Sequence, residues 1–123
     1  VDITKPNFNV VYRHIIENSL FTERQLYIIS KRLEGTPPIE NISSGAYYRQ
    51  VKQCQDKVVR VLYTMILLMH IGAIDSRAPF TIERLIEQLN VILNSETAHT
   101  LENPGVESVI YVIKRLLKNM TNV

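Results

Sequence analysis

The sequence predicts an all-α domain, a bundle of about five helices around one long central helix at residues 44–72. Three observations carry this. Apolar residues recur at three- and four-residue steps in most of the chain, the period of a helix face. Gly35, Pro37, Pro38, Gly72, Pro79, Pro104 and Gly105 fall between the periodic segments, where breaks belong. No segment alternates apolar and polar residues as a half-buried strand does.

The elements follow in order. Residues 1–7 form a short lead with Pro6, and Asn7 is placed to cap a first helix over about residues 8–19, with Val11, Ile15 and Ile16 facing inward. In FTERQL, Thr22 as cap and Gln25 three residues on make a capping box, with Phe21 and Leu26 as a hydrophobic staple. Leu26, Ile29 and Leu33 form the inner stripe of that second helix, which Gly35 ends and Pro37 and Pro38 keep ended. In the connector TPPIENIS, Ile39 and Ile42 are placed to pin it to the core.

Ser43 or Ser44 then caps the long helix, and Gly72 is placed to end it. This helix changes character halfway. Val51, Cys54, Val58, Val61, Leu62 and Met65 share one side, with Arg49, Lys52, Gln53, Asp56, Lys57 and Arg60 opposite. From Val61 to Ile71 almost every residue is apolar, which predicts burial on most sides. FTIERL repeats the FT start, with Thr81 as cap and Phe80 and Leu85 as staple of a fourth helix running to about Asn94. Asn103 and Pro104 open the last helix, whose apolar side runs from Val106 to Met120 and whose Lys114, Arg115 and Lys118 suit its C-terminal dipole.

At 123 residues with 46% hydrophobic and 21% charged residues, the chain fits one folded domain, 1–123. The net charge of +2 is mild, but it is unevenly placed. Residues 22–60 carry seven basic against four acidic side chains, a net +3, and residues 61–100 carry two against four. Cys54 is the single cysteine, so no intramolecular disulfide forms and a reducing, cytoplasmic setting is expected. No signal peptide is visible, and the apolar run 61–71 is far short of a membrane span, so no membrane partner is expected. Residue 1 is valine and not methionine, as expected of a chain lacking a native N-terminal segment.

Enzyme chemistry finds little purchase. Glu96 and His99 have the spacing of half a di-iron motif, but no second copy exists, and surface polarity is the simpler account. His14 and Glu17, one turn apart, are too few for a metal site. No G-x-S-x-G, phosphate-binding glycine loop or cysteine–histidine pairing is present. The expectation is a non-enzyme with no catalytic residue, no cofactor, no metal and no small-molecule substrate.

Nucleic-acid binding has more behind it. A capped helix bearing Lys31 and Arg32 is followed by a turn and by a helix that opens with Ser44, Tyr48, Arg49, Lys52 and Gln53, with Lys57 and Arg60 further along. Arg49 and Gln53 suit base edges, Ser44 and Tyr48 suit phosphates, and the remaining cations suit the backbone. The stretch TERQLYIISKRLEG…SSGAYYRQVKQC resembles the helix-turn-helix segments of small archaeal DNA-binding proteins. That resemblance, over about residues 22–54, implies a DNA-binding transcription regulator with a helix-turn-helix-like segment at 22–60. The connector from Gly35 to Ser43 is longer than the three or four residues of that motif's turn. The broad apolar faces of 82–93 and 106–120 add an expected homodimer through C-terminal helices 80–120, since such proteins often read two half-sites as dimers. The alternative is a helical protein–protein interaction or assembly module that binds no nucleic acid, its basic face being only a solvated side.

Overall fold

The computed structural model describes residues 9–35, 42–94 and 104–123. They form five helices: α1 (Val10–Glu17), α2 (Glu23–Glu34), α3 (Ser44–His70), α4 (Ala78–Leu93) and α5 (Pro104–Asn119). The only β pairing among them is one isolated antiparallel bridge, Ile74 with Thr121, so the all-α expectation holds.

Most boundaries follow from local chemistry. At Thr22 the capping box is complete: Thr22 Oγ1 accepts the Gln25 N–H at 3.1 Å and Gln25 Oε1 accepts the Thr22 N–H at 3.0 Å. Gly35 ends α2 in the left-handed region, φ 71°. Ser43 caps α3 through the Ala46 N–H, and Gly72, at φ 79°, turns the chain out of it. Two expected starts are corrected. α1 begins two residues later than expected, capped by Asn9 and not Asn7, because Asn9 Oδ1 reaches the Tyr12 N–H at 2.9 Å. α4 starts at Ala78, ahead of Thr81. Pro79 sits in its first turn, where a missing N–H costs nothing, and Thr81 Oγ1 bonds back to the Arg77 carbonyl one turn earlier. The expected cap Asn103 and the Glu96–His99 pair lie outside the described residues.

The core is in two parts. Ile28, Tyr47 and Cys54 are buried between α2 and α3, with Tyr27, Ile29, Ile42 and Val51 packed around them. Val11, Val106 and Ile113 are buried between α1 and α5, with Leu85, Leu89, Ile92 and Leu93 of α4 against them. Asn9, at 7% exposure, fastens this second cluster: its Nδ2 donates to the Leu93 carbonyl at 2.9 Å while its Oδ1 caps α1. The last residues are fastened too. The Asp75 N–H donates to Met120, the Asn122 N–H to Ala73, and Asn122 Nδ2 to the Gly72 carbonyl, tying the end of α5 to the α3–α4 loop.

Two burial expectations are overturned. Leu33 is 82% exposed, and Ile28 takes the buried place on α2. The second half of α3, expected to be embedded on most sides, is bare: Leu62, Tyr63, Ile66, Leu67 and Ile71 are each more than half exposed. Only Val61 and Leu68 there are half-buried. The reason is geometric. α2 has twelve residues and α3 has twenty-seven, so α2 flanks only the first half. The Gln25 carbonyl meets Cys54 and Arg32 lies over Tyr48, contacts that run antiparallel along both helices and end where α2 begins.

Candidate nucleic-acid interface and apolar face of α3

The long helix presents two exposed surfaces in succession, one basic and one apolar. At about 100° per residue, Arg49, Lys52, Asp56 and Arg60 lie opposite Cys54, the side chain that α3 turns toward α2. All four are exposed, as are Gln53 and Ser44. Ser44 is not the cap of α3; Ser43 is.

The other sequence-predicted site residues are held by their neighbours. Lys57 is half-buried. Its Nζ donates to Gln25 Oε1 at 3.2 Å and lies 5.1 Å from the Phe21 ring centre, which makes it part of the α2 capping assembly. Arg32 lies 5.8 Å over the Tyr48 ring, which meets Tyr47 edge-on at 5.6 Å. Lys31 lies 5.4 Å over Tyr27 and within 3.9 Å of Glu34. The structure thus brings Arg32, Tyr48, Arg49 and Lys52 together near the start of α3, leaves Arg60 two turns beyond Lys52, and turns Lys57 toward α2.

Cys54 is buried, its thiol donating to the Gln25 carbonyl at 3.8 Å. Burial pushes the thiol pKa up, against a smaller opposing pull from Lys57, so the thiolate that nucleophilic chemistry requires is disfavoured. Among the described residues no three of His, Cys, Asp and Glu come together as a metal site would require. No described helix is long and apolar enough to cross a membrane.

Beyond Arg60 the character changes. Val58, Val59, Leu62, Met65, Ile66 and Met69 fall within one arc of α3, all exposed, and Tyr63 and Leu67 continue it around the helix. Where this arc meets α2, Ile29, Leu33, Val51, Val58 and Val59 line an apolar groove of about 300 Å³. Sequence reading missed this surface because all-round hydrophobicity signals burial without naming what does the burying. The spacing within the arc was the available signal. Compared with models of known protein families, with curated proteins and with solved structures, the chain matches none.

Proposed function

We propose that this protein is a helical interaction module whose working surface is the exposed apolar half of α3. One observation carries the reading. An uninterrupted apolar arc of three turns stands in water on a well-formed helix, and such a patch marks an interaction site more often than an ordinary surface. The test is Ile66→Glu, which places a charge at a 65% exposed position without disturbing either core cluster. The variant should keep its helical circular dichroism and lose either hydrophobic-dye binding or association in sedimentation. If it changes neither, the surface is inert and the reading fails.

A second reading is favoured by the basic face. Arg49, Lys52 and Arg60 form no ion pair among the described residues and stand on one side of α3, as a helix reading duplex DNA requires. In that reading the protein is a helix-turn-helix-like regulator acting as a homodimer, with Arg32, Arg49 and Lys52 at its centre. A mobility-shift titration with random-sequence duplex at two salt concentrations tests it. Retention should weaken steeply as salt rises and vanish in the Arg49→Glu, Lys52→Glu double variant. No retention at low salt discards it.

A further inference from the structure

The apolar arc has a spacing of its own. Val58, Leu62, Met65 and Met69 follow four-, three- and four-residue steps, the a/d repeat of a coiled-coil seam, with Val59 and Ile66 flanking it. All six side chains are exposed, so the seam is formed and has no partner among the described residues. A heptad seam accepts a helix with the same repeat, since knobs at a and d fill holes made by a and d positions of the facing helix. Two further facts bear on which helix that is.

Between Val61 and Ile71 there is no Asp, Glu, Lys or Arg, so the segment meets a copy of itself without like-charge repulsion. The first half of α3 then decides direction. A parallel pair in register would run the partner's first half along Tyr47, Val51 and Cys54, which at 100° per residue lie on the seam's side of α3 and are already covered by α2. An antiparallel pair matching Val58 with Met69 and Leu62 with Met65 ends the partner's α3 beside Lys57, where α2 begins, so the partner helix occupies only the uncovered half.

We infer that the occupant of the apolar face is a second copy of this chain, its α3 antiparallel to the first, with Val58 against Met69 and Leu62 against Met65 across a two-fold axis. The inference rests on reading this face as an interaction surface and adds the partner and the register. In this arrangement the two basic faces project from opposite ends of the pair.

The experiment uses the full chain in two arms. Sedimentation at micromolar concentration should give twice the 14.2 kDa chain mass for the parent, and the chain mass for Leu62→Glu. Because an obligate dimer can lack a stable monomer, the second arm needs none. Val58→Cys and Met69→Cys chains are refolded together in equal amounts, oxidised, and their disulfide-linked species weighed. The mixed 58–69 disulfide should predominate. Like positions stand roughly 16 Å apart along the axis, beyond disulfide reach. Buried Cys54, its thiol pKa pushed up, stays out of the exchange.

A predominant Val58→Cys homodisulfide would mean a parallel pair and overturns the inference. So does a dimer indifferent to Leu62→Glu that forms no 58–69 bond, which would place the contact on α4 and α5. A monomer that binds hydrophobic dye removes the second copy and leaves the interaction-module reading standing. A monomer that binds none removes both.

Discussion

Asn9 is the one buried polar side chain among the described residues, and it holds two helices at once. Its Oδ1 caps α1 and its Nδ2 donates to the carbonyl at the end of α4, each at 2.9 Å. A cap lost to Ala costs about 1 kcal/mol, and a typical hydrogen bond contributes about as much. Asn9→Ala should therefore lower stability by about 2 kcal/mol. Asn9→Ser keeps a capping oxygen but is too short to reach Leu93, and should cost about 1 kcal/mol. Asn9→Asp keeps the cap and turns an acceptor toward the Leu93 carbonyl, so it should cost about 1–3 kcal/mol although it differs from Asn by one atom. Urea unfolding followed by circular dichroism, with all four proteins at one concentration, measures the series. If Ser matches the parent, the Leu93 bond contributes nothing; if Ala matches Ser, the cap contributes nothing. Equal stability of all four would refute the account of how α1 is attached.

Ile28→Ala should cost about 2–5 kcal/mol, whereas Leu33→Ala, five residues on and 82% exposed, should stay within about 0.5 kcal/mol in the same urea assay. Gly72→Ala should cost about 1 kcal/mol through backbone strain alone, because a Cβ there meets no atom within 4 Å; loss of thermal stability without loss of helicity is the expected readout. Hydrogen bonds from the Arg77 side chain and then its backbone hold the Asp75 carboxyl below its ordinary range. The folded value is thus below the unfolded one, so its contribution is present at neutral pH and is lost as pH falls through the folded value. The melting-temperature gap between the parent and Asp75→Asn should accordingly be present at pH 7 and close in acid.

What the sequence discloses here is mainly what is decided within a few residues. The Thr22–Gln25 box, the Ser43 cap and the glycine turns at 35 and 72 involve groups at most four residues apart, and each stands where the sequence places it. Thr81 shows how such a signal misleads. The same FT pair is overruled by Pro79, whose fixed φ suits the first helical turn. The inner stripe of α2 was misplaced for a different reason. Periodicity identifies an apolar side, but the neighbour chooses which of Ile28, Ile29 and Leu33 is covered, and α3 covers Ile28. Lys57 is the corresponding case at the basic face. Its charge groups it with the solvated cations, but it stands one turn after Cys54 on the α2-facing side, and its ammonium reaches Gln25, a residue 32 positions away. Residues 61–71 mislead because an all-round apolar pattern stands for burial, whereas their exposure depends on what packs against them.

The bond from Asn9 to Leu93 spans 84 residues, and it also sets an order of events. A chain emerging from the ribosome completes the α2–α3 hairpin, with partners about 30 residues apart, before residue 93 emerges. During that interval α1 has no place to dock, and the apolar half of α3 is already formed. The nascent protein therefore presents this exposed apolar segment before the second core cluster can assemble. Under the pairing inferred above, neighbouring copies translated from one message would meet at that segment first.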